Sequence, residues 1–446
     1  MKRFFKFVVI SIIIVVVAFA LVEISDKYKV NVLRNNVTWS IDNKNCKQAV
    51  DFDKDEDGNT YVAYKDCIKI IREEGREDIL LKNSSLNIET ILLYNNKIYY
   101  ISDDKLYEYD ISGNENKTIL EDIPYKGKNL DRKLMIKDSK LLLAIGSATN
   151  SGIADNDGTY EINEIPYDSS PINITLTGNN FGEKNTGAFM AYGNSSLKGQ
   201  KIEARKLANS SIIEIDINNN INNISLYACG IRNITGWDID SDNNLICIVG
   251  GMEDTGDRPI KRDFDYLYKI EKNNWYGWPD FSGGDPIDSP RFKGDKPINK
   301  IIENQPNKIV SGPIYQFDDV SSMRYLAIDS RGEIFEKDTG VYYDENKNMI
   351  STVSKDLVIS RLLKLKENSV VKGIKIKGAS VYILDSGIGC IYKLTCNDGR
   401  MLFNLPRSVL IFIMILLGIL VFIFMYKYNS KNRVDILDKF IWHKRK

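Results

Sequence analysis

Histidine is almost absent from this chain: of 446 residues only one, His443, carries an imidazole. Imidazole is the side chain that titrates near neutral pH and the commonest metal ligand. Nearly the whole sequence is therefore closed to histidine acid–base chemistry and to histidine-ligated metals. Net charge is absent too. Sixty Lys and Arg offset sixty Asp and Glu, so no global field draws nucleic acid or another polyanion. No Gly-rich phosphate loop, HExxH or GxSxG phrase occurs, which leaves nucleotide, zinc-protease and serine-hydrolase chemistry without support. Proline is scarce while Ile, Asn and Lys abound, a bias that fits an AT-rich coding sequence and carries no function. No compositional extreme marks disorder or a fibrous protein, and the length suffices for a large core.

Long apolar runs are present at the two ends. Phe7 to Val22, "FVVISIIIVVVAFALV", follows Lys2, Arg3 and Lys6, the layout of an N-terminal anchor or a signal peptide. Ala18, Phe19 and Ala20 offer a small-x-small cleavage site, but the run is long for a signal core, which favours an uncleaved anchor. Ser408 to Tyr426 holds 19 residues without a charge, enough to cross a hydrocarbon layer roughly 30 Å thick. Lys427, Lys431, Arg433, Lys439, Lys444, Arg445 and Lys446 follow, and the positive-inside bias puts both termini in the cytoplasm. The expected order is an anchor or signal peptide at 1–24, an exterior domain at 25–400, a transmembrane helix at 401–426 and a basic cytoplasmic tail at 427–446. The membrane is thus an expected partner and the cell membrane the expected location.

All six cysteines, Cys46, Cys67, Cys229, Cys247, Cys390 and Cys396, fall in the expected exterior part, where disulfides persist, and none shows zinc-like spacing. Cys46 and Cys67 are equidistant from the turn "DEDG", so a hairpin folded there brings them opposite each other. Cys390 and Cys396 sit on one expected strand, about 20 Å apart if extended, and cannot bridge each other.

Between the ends one unit recurs six times: an apolar-alternating run, a short polar turn and a second run. The copies lie at 49–64, 91–102, 134–146, 236–250, 325–337 and 373–385. Period-two runs joined by Asp, Asn, Gly and Ser turns signal hairpins, and no helical period competes with them. The exterior part is therefore expected to be all-β, a six-bladed propeller with long loops after the third and fourth hairpins. A two-sheet sandwich is the alternative, but six hairpins give too many strands for one. Those loops, 147–200 and 251–312, are polar and turn-rich, the composition of binding walls on a rigid scaffold.

Two phrases in this frame are specific. "GIRN" at 230–233 is followed by a hairpin and then by "DYLYKIEKNNWYGWP" at 265–279. In this order and spacing they resemble the soluble PQQ-dependent sugar dehydrogenases, the glucose and sorbosone dehydrogenase family of six-bladed propellers. The matching residues are Gly230, Arg232 and Asn233, then Tyr276, Gly277, Trp278 and Pro279; "LLLAIGSATNSG" resembles the family's strand and loop after its catalytic segment. The resemblance implies that Arg232 and Asn233 hold a flat tricarboxylated quinone, a role suited to a planar guanidinium and an amide that both donates and accepts. The bland alternative has both residues stabilising the propeller mouth by backbone hydrogen bonds, with Trp278 and Pro279 packing a loop.

The family's base is a histidine, and His443 lies in the tail "FIWHKRK", on the wrong side of the membrane. Registering the family's "H-N-x-G-R-L" segment without gaps puts Lys128 at that position, with Asn129 and Arg132 matching. Lysine is a poor base unless burial or a cationic neighbour lowers its pKa by several units. The family's pair of clamping arginines falls on Ser369 and Val371, removing two bidentate clamps that Lys372 and Lys375 would replace only as point charges. The resemblance also implies calcium, with Glu253, Asp254, Asp257 and Asp265 as possible ligands, against a solvated acidic loop. The EF-hand-like start Asp53, Asp55, Asp57, Gly58 has Tyr64 where a glutamate is needed and reads as a β-turn. Two functions follow. The missing histidine and arginines favour a non-catalytic or divergent module binding a sugar, an envelope glycan or a protein; the alternative is a PQQ- and calcium-dependent oxidoreductase acting on a sugar or related alcohol.

Overall fold

The computed structural model describes residues 27–396 except 219, 293, 295–297 and 308, together with 415, 416, 418, 419 and 423. The two terminal apolar runs fall outside these residues apart from the last five positions. Among the described residues no helix is long and apolar enough to cross a membrane.

The region between the terminal runs folds as a six-bladed β-propeller. The innermost strands of blades 1 to 6 are Asp51–Lys54, Ile88–Tyr94, Arg132–Lys137, Ile234–Ile239, Met323–Asp329 and Val371–Lys377. Each packs beside the next, and the sixth returns to the first, closing a ring around an axial channel. Blade 6 takes its outer strand from the start of the chain: Val37–Lys44 runs antiparallel to Cys390–Cys396, so the two ends of the propeller hold each other.

The repeated hairpins are the inner strand pairs of the blades. Two-residue turns at Asn95–Asn96 and Asp138–Ser139 have positive φ at both positions, 48° and 58°, then 50° and 60°, the twist that two-residue hairpins require. Period-two alternation fades in the second strand of each blade. Lys97–Ser102, Lys140–Ile145, Leu245–Val249 and Ser380–Asp385 are buried almost throughout, because neighbouring blades cover both faces. One apolar cluster joins blades 1 and 2 through Ile70, Ile91 and Ile98, and another joins blades 2 and 3 through Ile101, Leu106 and Leu143. The outer strand Glu77–Lys82 stays accessible, its Ile79 included.

Inner strands also present unpaired backbone donors toward the next blade, and carboxylates satisfy them. Asp51 Oδ2 accepts from the Thr90 hydroxyl at 2.7 Å and the Ile91 N–H at 2.9 Å, and Asp53 Oδ2 accepts from the Leu93 N–H at 2.9 Å. Asp238 Oδ2 does the same for the Ile328 N–H at 2.7 Å. The EF-hand-like stretch is a hairpin turn: Asp55 takes the Asn59 backbone and side-chain N–H groups, both at 2.8 Å.

Two expectations need correction. In the fifth repeat the second strand is Thr339–Asp344, not the segment ending at 337. The Asp329 carboxylate takes the N–H groups of Glu333, Ile334 and Phe335 at 3.0, 2.7 and 2.7 Å and curls that segment into a loop. Cys46 does not face Cys67, and the two are not bridged. The hairpin ends at Val50, and the chain turns through 46–49, with the Cys46 N–H donating to Gly389 O of blade 6 at 3.1 Å. The long insertions stand where the wide gaps were: 146–210 within blade 3, then 250–265 and 271–314 within blade 4.

Burial pushes the Asp238 carboxyl up to about 6, with the Ile328 and Ile239 N–H groups opposing it. The group is half-buried between blades 4 and 5, and burial dominates. A raised carboxyl contributes stability that is fully present below its unfolded value near 3.8 and is lost as pH rises through about 6. Asp238→Asn should therefore remove a stabilisation of about 1 kcal/mol between pH 7.5 and pH 5, read as a flatter pH dependence of the denaturation midpoint.

Candidate functional site

The two sequence phrases, some forty positions apart, lie side by side. Ala228 and Cys229 pair in parallel with Asn274 and Trp275, and the carbonyls of Cys229 and Gly230 accept the N–H groups of Tyr276 and Trp278, each at 2.8 Å. Gly230 has φ +69°, and a Cβ there would stand 2.4 Å from the Trp275 ring, so only glycine fits. Trp278 packs edge-on to Phe189, and Trp278 with Trp275 belongs to the apolar cluster beneath the inserted loops.

This junction aims Arg232 and Asn233 at a cavity of about 110 Å³ in the mouth of the propeller, bordered also by Lys128, Asn129, Asp131 and Glu253. Arg232 is 4% exposed. Its Nε donates to Asn150 O at 3.1 Å and its Nη2 to Asn150 Oδ1 at 3.1 Å, while Glu253 Oε1 stands 4.0 Å away. Burial pulls this guanidinium below its ordinary value, and the acids Glu253, Asp263 and Asp265 oppose that. Asn150 is saturated: its Oδ1 also accepts the Glu253 N–H at 2.8 Å, and its Nδ2 donates to Glu253 O at 2.7 Å. Asn233 Nδ2 donates to Asp131 Oδ2 at 2.8 Å, and its Oδ1 accepts the Asp131 N–H at 3.1 Å. Gly146 makes room for that amide, since a Cβ there would lie 2.4 Å from Asn233 Oδ1.

The remaining candidates divide. Lys128 and Asn129 border the cavity with Arg232 and Asn233, but the Lys128 side chain is 55% exposed and 3.9 Å from Asp157 Oδ2. Arg132 is drawn away from the cavity to Glu89 of blade 2, at 2.6 and 3.1 Å, and to the Asp103 carbonyl, which makes it a tie between blades. Ser369 and Val371 are buried where the inner strand of blade 6 begins, and neither presents a cation.

The four acids proposed for calcium do not converge, and among the described residues no group of three or more metal-ligating side chains does. Asp265 is fully buried, and four backbone N–H groups, those of Gly251, Ser321, Ser322 and Met323, occupy its oxygens at 2.8 to 3.1 Å. Glu253 accepts the Ser321 hydroxyl at 2.6 Å; burial raises its carboxyl, but that bond, Arg232 and Lys128 carry it below the usual range. Asp254 points into solvent, and Asp257 belongs to a separate acidic group with Glu183 and Asp155.

Below the mouth runs the axial channel, about 480 Å³, which shares Asp131 with the small cavity. Lys133, Lys372, Lys375 and Tyr325 face it. Ligand pockets usually exceed about 300 Å³, so the mouth cavity is too small for a flat tricyclic tricarboxylate. With Arg232 spent on Asn150, the residues at the mouth do not fit PQQ as they stand.

The fold is a six-bladed β-propeller, and these phrases lie together at its mouth. No protein-family model and no curated protein matches the chain; the likeness is structural. The iodide structure of the family AA12 carbohydrate-active enzyme of Trichoderma reesei superposes with a TM-score of 0.56 at 13% identity, covering 83% of this chain and 98% of that one. Its calcium structure gives 0.55 at 13% identity over the same shares. The holo PQQ domain of pyranose dehydrogenase from Coprinopsis cinerea gives 0.52 at 12% identity, over 82% and 97%. At such identity the likeness establishes the fold.

Several residues of the site escape sequence reasoning. Asn150 sits in "SATNSG" as one more polar loop residue, and nothing local marks it as the partner of Arg232. Arg258 and Asp280, both fully buried, pair at 2.8 Å; Arg258 also donates to the carbonyls of Ser151, Pro279 and Asn299, and Asp280 accepts the N–H groups of Ile301 and Ile302. Three inserted segments meet at this pair. The channel lysines had a signal, charges on inner strands at "DRKLMIK" and "VKGIKIK". Removing one partner of a buried pair is strongly destabilising, so Arg258→Met should cost about 3 kcal/mol in denaturant unfolding. Hydrogen exchange should show residues 146–160 and 276–302 opening first, with blades 1 and 2 unchanged.

Proposed function

We propose that the chain is a membrane-tethered, exterior propeller that binds a sugar, an envelope glycan or a protein on its loop-built face without turning it over. The observation that carries this reading is the position of Lys128. Where the resemblance calls for a general base, this side chain stands half in solvent beside Asp157, and an ammonium has no lone pair with which to take a proton. The cation beside it, Arg232, is bound internally by Asn150 and faces Glu253. The insertions from blades 3 and 4 supply a wide polar face on a rigid scaffold, the usual place for recognition.

The tether rests on the apolar runs at 7–22 and 408–426 and the basic residues flanking them. It predicts that the protein stays with the membrane fraction through alkaline carbonate extraction; release into the supernatant would remove it. An oxidoreductase reading draws on the quinoprotein-type fold and on the "GIRN" and "YGWP" phrases. Absorbance titration of full-length protein in detergent with PQQ and calcium separates the two. No saturable shift of the quinone spectrum into the high micromolar range is expected, and a saturable one would overturn the non-catalytic reading.

A further inference from the structure

We propose that the axial channel is a binding site for a small multivalent anion, held between Lys133 of blade 3 and Lys372 and Lys375 of blade 6. This stands whether or not the loop-built face binds a partner.

The channel has the volume of a small-molecule pocket, about 480 Å³. Its acids are engaged. Asp51 accepts from Phe52 N, Thr90 Oγ1 and Ile91 N at 2.8, 2.7 and 2.9 Å. Glu89 is paired with Arg132 at 2.6 Å, and Asp131 takes Asn233 Nδ2 at 2.8 Å and Arg324 Nη1 at 3.3 Å. The lysines are not engaged in this way. Lys133 Nζ lies 5.1 Å from the centre of the Tyr325 ring, and among the described residues it has no hydrogen-bond acceptor and no ion pair. Lys375 has Asp53 Oδ1 at 3.9 Å, beyond hydrogen-bond reach, and Lys372 has no acceptor among the described residues.

Electrostatics point the same way. Burial pulls the Lys133 amine below its ordinary value; Asp131 and Asp51 oppose this, while Arg324 and Lys375 reinforce it. Burial works against Lys375 as well, yet Asp53, Asp51 and Asp238 hold it above its ordinary value. One wall of the channel thus keeps a firm cation, while Lys133 opposite has acids near it but none in contact among the described residues. An ammonium is a compact, strongly hydrated donor that matches single oxygens of carboxylate or phosphate. Donors on two walls call for a ligand with at least two such groups. A sugar carrying no charge would leave them unanswered.

Isothermal titration of full-length protein in detergent, with citrate and with pyrophosphate at constant ionic strength, tests this. Saturable binding of one probe is expected, weakened about tenfold or more in Lys133→Gln and in Lys372→Gln, the loss of one charge-assisted contact. Citrate alone would identify a carboxylate ligand and pyrophosphate alone a phosphate ligand; either supports the site. No saturation by either probe in the millimolar range, or binding equally tight in both variants, would overturn it. If Lys133→Gln fails to fold by circular dichroism, Lys372→Gln, near the start of the inner strand of blade 6 and outside any ion pair among the described residues, decides alone.

Discussion

The Arg258–Asp280 pair is the constraint on which the loop-built face depends. Among the described residues its segments, 146–210, 250–265 and 271–314, contain little regular structure, so few of their backbone groups satisfy one another as strands do. A buried guanidinium and a buried carboxylate do it instead: Arg258 donates to carbonyls of the other two segments, and Asp280 accepts amides of its own. Such a pair adds little to stability compared with a well-packed apolar one, because both charges must first leave water. What it adds is position: three loops that would otherwise wander are fixed against one point, and Asn150 and Arg232 are fixed with them.

The same economy operates around the ring. Inner strands leave edge donors facing the neighbouring blade, and Asp51, Asp53 and Asp238 accept from blades 2 and 5 in turn. Carboxylates placed this way make blade order specific, since a slip of one residue would strand a buried charge. They also tie stability to pH, because burial holds Asp238 protonated at mildly acidic pH. The propeller is therefore assembled by apolar contact between blades and registered by charge at its axis.

Much of this was legible in the sequence. Six hairpins, their turn chemistry and the two wide gaps follow from period-two runs and Asp, Asn and Gly turns. They mark inner strand pairs because only those carry both a tight turn and a clear pattern. Outer strands such as Glu77–Lys82 do not alternate apolar with polar residues and gave no signal. The fifth repeat misled because "GEIFEK" has strand composition, whereas the Asp329 carboxylate, a contact within the loop, overrides propensity. Cys46 misled because hairpin arithmetic ignores where the chain leaves the hairpin. At the site, Arg232 and Asn233 were legible as a phrase but not as a state. Whether an arginine greets a ligand or its own protein depends on Asn150, which the sequence places 82 positions away.

That dependence bears on what a ligand would meet at the mouth. Arg232 faces Glu253, and Arg324 is shared between Asp131 at 3.3 Å and Glu345 at 2.7 Å, so the cations there are already answered by acids of the same chain. An anion entering must displace those bonds and desolvate both partners, and its net gain is only the difference. In the channel the order is reversed. The acids are bound to backbone and arginine, and the ammonium groups of Lys133 and Lys372 face open volume with no acid in contact among the described residues. An anion arriving there breaks no hydrogen bond of these two ammonium groups to a described residue. Binding of charge is therefore favoured along the axis, and the mouth, internally neutral and polar, is better suited to hydroxyl-rich or peptide surfaces that exchange one set of neutral hydrogen bonds for another.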